Sequence, residues 1–534
     1  MDYAIDKEKM KLYGTLVICL TKLILIMSYD VFTFFTAQDK CYADTQQNIH
    51  VPLSLNEALH SFINYNDGLF DYKLISYEKS EASDIFIKTY ILTSQKWPIN
   101  EYEDIPSAIW KHKLLIYLPK EVFFNQALLY VNAGYNMNKE GKEEFMTSKE
   151  KVDFIKIAST NKAVVIEVQD VPNQFLLMSD EPKKEDQILA YTYKKVMESP
   201  LENAYLAGHL PMVKAAIKAM DATQDILKKD HNIDIESFIL AGASKRGWAV
   251  WLTALEDQRV SGIILIVIDI LNVQKTISHI CSVCKDGCPQ ALRDYKKSGI
   301  TQRVNDTAFL ELMKIEDPFS YLSTDYDPKY KQRLAISKYI INASGDDFFV
   351  PDSSRFYFKN LPGDKNYIRY LPNALHYMAG NPISDSTDNQ HKVSEAINSY
   401  FYLILNNISL PMVNWTFSEN TIKVITTTKP HTIKLWNAIN ENSRDFRFLN
   451  SYKYWHLFLK KLSSYFFKEI CDTCYTAKEI PFSCENGHEC EIEVLLPQPE
   501  GGWQASFVEL HYNLQGMDFF TTTEVLILPD IYPD

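Results

Sequence analysis

From about residue 85 the chain alternates two hydrophobic patterns. Short, continuous apolar runs of strand length occur at 85–92, 114–118, 127–131, 163–168, 238–241, 263–268, 339–343 and 367–371. Helical spacing fills the intervals at 186–197, 211–227, 248–255 and 391–405. In the second of these, Val213, Ala216, Ile217 and Met220 fall at i, i+3, i+4 and i+7, with Pro211 near the start. A strand with one wet face alternates apolar and polar residues. These runs do not, so they predict strands buried on both faces, with the intervening helices as cover. The expected fold is an α/β, doubly wound, mostly parallel sheet over about 50–408.

Past Leu410 the texture changes. Short alternating runs at 422–426, 432–436, 492–496, 506–512 and 524–528 are separated by polar and proline turns, with one helical pattern at 454–467. This predicts a second domain, an immunoglobulin-like β-sandwich, over about 412–530.

Composition sharpens the picture at three points. Lys and Arg number 55 against 68 Asp and Glu, a net charge of −13, which argues against nucleic acid or an anionic membrane as the main partner. Only 17 of 534 residues are glycine, so each one is worth reading for a backbone need. The apolar run 12–27, broken by Lys22 and preceded by Lys7, Lys9 and Lys11, suits a signal peptide within a leader of about 1–37. Small residues Ala37 and Ala43 then mark candidate cleavage points, so the mature, exported chain is expected to begin near 38 or 44. A buried N-terminal helix is the alternative. No other stretch reaches the roughly 18 apolar residues of a membrane span.

The nine cysteines bear on the same question. Cys281, Cys284 and Cys288 form one cluster and Cys471, Cys474, Cys484 and Cys490 another, with His488 close by. In a reducing compartment Cys471, Cys474, Cys484 and either His488 or Cys490 would suit zinc. In an exported protein local disulfides are the expectation, with no metal or other cofactor. Sequons at Asn305, Asn407 and Asn414 fit the secretory route.

The chemistry concentrates in Gly242-Ala243-Ser244-Lys245-Arg246-Gly247, between an apolar strand and a helix. A serine at a sharp strand-to-helix turn is raised above the sheet's carboxyl edge, where following N–H groups face a developing oxyanion. The usual second glycine is replaced by Arg246, and Gly247 comes one residue late. A plain turn with Ser244 as helix N-cap is the alternative. A nucleophilic serine needs a base and an orienting carboxylate, in the chain order Ser, acid, His. Asp346 ends one strand run and His376 follows the next, in that order. Asp269, Asp347 and Asp352 are rival acids. The Lys245 N–H and the loop at Gly134 and Tyr135, after the 127–131 strand, are candidate oxyanion donors. Arg246 would direct its guanidinium either to an internal carboxylate or to an acidic group on the substrate.

The segment Ala241-Gly-Ala-Ser-Lys-Arg-Gly-Trp248, with Trp251-Leu-Thr-Ala254 behind it, resembles the PhoPQ-activated pathogenicity-related family, which includes autocrine proliferation repressor proteins. Similar stretches run from about residue 50 to the C-terminus, among them Ser344-Gly-Asp-Asp-Phe-Phe-Val-Pro-Asp352 and Leu371–His376. The resemblance implies an α/β-hydrolase fold, supports Ser244, Asp346 and His376, and makes the late Gly247 a family trait. The family's Gly-Gly in the third-strand loop is Ala133-Gly134 here, and the cysteine clusters depart from its pattern. Two functions follow as expectations. One is a secreted serine hydrolase, a peptidase or esterase. The other is a secreted signalling protein that uses the fold to recognise a cell-surface receptor.

Overall fold

Nine of the strand-forming segments assemble into one sheet. They are β1 (Asp71–Lys79), β2 (Ile85–Trp97), β3 (Ala108–Pro119), β4 (Gln126–Val131), β5 (Val165–Val168), β6 (Ser237–Ala243), β7 (Val260–Ile266), β8 (Ser337–Ala343) and β9 (Asn366–Leu371). The spatial order is β1-β2-β3-β5-β4-β6-β7-β8-β9. The six strands from β5 to β9 in this order run parallel, and β1 to β3 join them through antiparallel pairings. The computed structural model describes residues 50–532 apart from 81–82, 141, 147–151, 285–286, 379–385, 448–472, 485–488, 497–498 and 500. The expected leader at 1–37 and the helical pattern at 454–467 therefore lie outside the described residues.

The continuous apolar runs fill both sides of this sheet. Leu129 and Leu240 point into one core with the helices His209–His231 and Lys245–Glu256. Their neighbours Leu128, Tyr130, Ile239 and Ala241 point into another, with Phe154–Asn161 and the later part of the helix Ser386–Leu405. Side chains alternate across a strand, so two buried faces require every position to be apolar.

The C-terminal segments form antiparallel sheets. Val413–Ser418, Thr421–Thr426 and Cys490–Leu495 make one. Thr476–Glu479, Thr432–Asn440, Trp503–Leu514 and Met517–Thr522 make the other, with Leu526–Leu528 also paired to its long strand. Residues 51–534 belong to one compact unit. The outer side of β9, an edge that would otherwise invite pairing with another chain, is covered from here. Thr521 Oγ1 donates to Ile368 O at 2.9 Å, the Tyr370 N–H donates to Thr522 Oγ1 at 3.1 Å, and the Tyr339 hydroxyl donates to Phe520 O at 2.6 Å. Deeper in, Arg444 donates to Asp352 Oδ2 at 2.7 Å, while nearer the surface Arg355 holds Asp530 at 2.7 and 2.8 Å.

Two disulfides, Cys281–Cys288 and Cys484–Cys490, close short loops, and Cys474 is also disulfide-bonded. Cys484 and Cys490, two of the zinc candidates, are thus bonded to each other.

Candidate active site

Strand β6 ends at Ala243, and the next helix begins at Lys245. Ser244 alone makes the turn, with φ 55° and ψ −130°, a left-handed backbone that a non-glycine residue rarely adopts. The strain is held by its neighbours: the Ser244 N–H donates to Ile266 O on β7 at 2.8 Å, and the Trp248 N–H closes the first helical turn on Ser244 O at 3.0 Å. Close approach of strand and helix is made by Gly242 and Gly247. A Cβ on Gly247 would sit 2.7 Å from Gly242 O, and one on Gly242 would sit 2.8 Å from the Arg246 carbonyl group. The later glycine takes the crowded position, which leaves Arg246 free to project sideways.

His376 follows β9 and Asp346 follows β8, so adjacent strand ends carry both. His376 Nε2 lies 2.9 Å from Ser244 Oγ, and Nδ1 lies 2.9 Å from Asp346 Oδ2 and 3.1 Å from Oδ1. The Phe348 and Phe349 N–H groups donate to Asp346 Oδ1 at 2.7 and 3.2 Å, which fixes the carboxylate's face. The imidazole is 3% exposed and is flanked by the Phe348 ring at 4.3 Å between centroids. The two loops are joined through Ser344 N to Leu371 O (3.0 Å), Gly345 N to Ala374 O (3.0 Å) and Asn373 N to Ser344 Oγ (2.9 Å). Asn373 also exchanges two hydrogen bonds, 2.9 and 2.8 Å, with the backbone of Tyr475. The C-terminal segment thereby braces the histidine loop.

Burial works against a charged imidazole at His376, but the Asp346 carboxylate outweighs it and holds the pKa above the ordinary histidine value. Burial, followed by the charge of Asp346, raises Asp347. The other rival acids face different partners. Asp269 accepts from the Tyr357 and Tyr370 hydroxyls at 2.6 and 2.7 Å, and burial pushes it up to about 7. Asp352 pairs with His279 at 2.8 Å and with Arg444.

The oxyanion candidates meet through a carboxylate that sequence reasoning did not single out. Lys245, Arg246 and Gly247 open the helix, where N–H groups have no intrahelical acceptor. The Gly134–Tyr135 loop follows β4, the strand beside β6, at the same edge of the sheet. Glu185 connects them. It accepts from Arg246 Nη2 at 2.6 Å, from Lys245 Nζ at 2.9 Å and from Gln174 Nε2 at 2.8 Å, while Gln174 Nε2 also donates to Gly134 O at 2.7 Å. Burial opposes ionisation of Glu185, but the two cations outweigh it and hold its pKa well below the usual carboxylate range. Arg246 donates further from Nε to Val171 O at 2.6 Å. The expected acidic group facing Arg246 is therefore the protein's own Glu185. No local motif marks Glu185 in the sequence, because its partners lie 11 and about 60 residues away.

A cavity of about 50 Å³ opens on Ser244 and Lys245, with walls that are mostly apolar. Ser244 Oγ, an imidazole in contact with it, a carboxylate behind the imidazole and N–H groups at the helix start make a constellation suited to acyl transfer.

Several known proteins are similar to this chain. Autocrine proliferation repressor protein A of Dictyostelium discoideum is 29% identical over 495 residues, covering 89% of this chain and 91% of that one. Acetyl xylan esterase 1 from Thermoanaerobacterium aligns at 12% identity and a TM-score of 0.38, over 65% of this chain and 94% of its own. An acetyl xylan esterase from Paenibacillus sp. R4 aligns at 11% identity and 0.40, over 64% and 92%. The model of the PhoPQ-activated pathogenicity-related proteins matches residues 59–447, most of the α/β layer and the start of the C-terminal sheets. The chain belongs to the PhoPQ-activated pathogenicity-related protein family.

Proposed function

We propose that the protein is a secreted serine hydrolase that transfers an acyl group from an ester or peptide to water. The observation that carries the reading is the relay from Ser244 Oγ through His376 to Asp346, each contact at 2.9 Å. In the first half-reaction Ser244 Oγ attacks the carbonyl carbon as His376 Nε2 takes its proton. The oxyanion is met by the Lys245 N–H and by the Gly134–Tyr135 loop. The C–O or C–N bond then breaks, and His376 gives its proton to the leaving alkoxide or amine. A water, deprotonated by the same nitrogen, attacks the acyl-serine, and the acid leaves as Ser244 regains its proton. Asp346 stays ionised and holds the imidazole tautomer. The disulfides support an oxidising compartment.

A fluorophosphonate probe applied to purified protein tests this directly. Labelling of wild type and none of Ser244→Ala is the expected result. Equal labelling of both, or of neither, would refute it. A second reading has its own support, because the 29% identical relative is named for repressing proliferation. In that reading the fold serves to bind a receptor on the cell surface. Full repressor activity in a correctly folded Ser244→Ala protein would favour it.

A further inference from the structure

The cavity beside Ser244 is lined by Phe348 and Phe349 from the Asp346 loop, by Lys245 and Trp248 of the helix after Ser244, and by segments outside the triad. Ile268 and Ile270 follow β7, Ile277 lies on the helix Val273–Val283, and Phe309 and Met313 lie on the helix Thr307–Glu316. These helices belong to the 70-residue insertion between β7 and β8, which forms a wall over the nucleophile. The Cys281–Cys288 disulfide closes the loop at the end of the first.

The polar groups in the lining are answered by the protein itself. Lys245 Nζ is held by Glu185 at 2.9 Å and by Asp186 at 3.3 Å. The Tyr295 hydroxyl donates to Asp186 Oδ1 at 3.0 Å, and the Tyr193 hydroxyl lies 3.0 Å from His209 Nδ1. Thr301 Oγ1 donates to Gln302. Ser244 Oγ, also in the lining, lies 2.9 Å from His376 Nε2. A carboxylate or ammonium entering here would lose its water without gaining a partner, which is strongly unfavourable.

Orientation follows from proton flow. The leaving group must lie next to His376 Nε2, which protonates it, and the Tyr377 ring, 5.5 Å from the imidazole between centroids, is 74% exposed. The group that remains bonded to the attacked carbon is then the one that enters the cavity. Its volume of about 50 Å³ is a third of the roughly 150 Å³ that admits benzene. That is room for a short aliphatic chain and too little for an aromatic ring or a fatty tail.

Resting on the hydrolase reading above, we propose that this cavity is the acyl pocket and that it selects short, uncharged aliphatic acyl groups of up to about four carbons. Burial of each methylene is worth about a fourfold gain. The test is a series of p-nitrophenyl esters from acetate to octanoate, with the monosuccinate as a charged equivalent of butyrate. The expected kcat/KM rises about fourfold per methylene to butyrate and falls at least tenfold by octanoate, with the monosuccinate at least tenfold below butyrate. Met313→Ala, or Phe309→Ala if the first does not fold, should raise the octanoate-to-acetate ratio at least tenfold. A wild-type profile that is flat or still rising at octanoate overturns the proposal, as does an unchanged ratio in the folded variant. Fluorophosphonate labelling of the same preparation separates the two readings. Labelled protein with a flat profile refutes the pocket alone. Unlabelled protein that turns over no ester refutes both.

Discussion

Arg246 occupies the position where a nucleophile elbow ordinarily has glycine, and its replacement tests what the side chain does there. In the structure Arg246 spends its donors internally, on Val171 O and Glu185 Oε1, with its side chain 6% exposed. Breaking one partner out of a buried ion pair costs about 3–5 kcal/mol. Lys245 stays on Glu185 when Arg246 is cut to alanine, so the lower end applies, about 3 kcal/mol. Unfolding entropy of about 2.1 cal/mol/K per residue gives roughly 1 kcal/mol per degree for a unit spanning 51–534. The expected fall in Tm for Arg246→Ala is therefore about 3 °C at neutral pH. Because Glu185 has a depressed pKa, its pairing stabilises the fold above the ordinary carboxylate range and is lost only as pH falls through the lower, folded value. The difference between wild type and variant should accordingly persist at mild acid pH and shrink only in strong acid. Calorimetry supplies Tm, and steady-state kinetics on acidic and neutral esters supply the control. An unchanged Tm with KM raised for acidic substrates alone would refute the internal pairing and make Arg246 a substrate contact.

Three further outcomes are expected. Because the Asp346 carboxylate holds the His376 pKa above its ordinary value, kcat/KM should fall as pH drops through a value above about 6.5; Asp346→Asn should lower kcat by about 10⁴ and move that acid limb down, and an unmoved limb would mean that another group titrates. Gly247→Ala would place a Cβ 2.7 Å from Gly242 O and 2.9 Å from Ile268 Cγ2, so it should cost about 1–3 kcal/mol in denaturant melts and reduce fluorophosphonate labelling at Ser244; full stability and full labelling would contradict the close approach. Asn305, Asn407 and Asn414 are all exposed, and protein recovered from culture medium should lose mass at these sites on treatment with an N-glycosidase, whereas unmodified protein found only in cytosol would count against secretion.

Much of the architecture was legible because the parallel sheet leaves a local signature. Strands buried on both faces must be apolar at every position, so 127–131, 238–241 and 339–343 announce themselves without knowledge of their partners. The elbow is similarly local: a glycine, a serine and a second glycine between strand and helix have few other uses, and Asp346 and His376 follow at strand ends in the expected order. Element ends were less legible. The helix after Ser244 starts at Lys245 rather than Trp248, because Lys245 and Arg246 look solvated in sequence yet are buried on Glu185. Strand β1 was missed, since an edge strand with most positions exposed carries no apolar run. What tertiary structure alone decided depends on pairs distant in the chain. Which aspartate faces His376 was open among four, and the answer rests on two loops joined across β8 and β9. Glu185 as the link between the Gly134 loop and the elbow, Asn373 braced by Tyr475, and the cavity walled by an insertion between strands are likewise relations among remote residues. Sequence periodicity records the environment of each position, whereas a site is defined by which positions meet, and only packing supplies that.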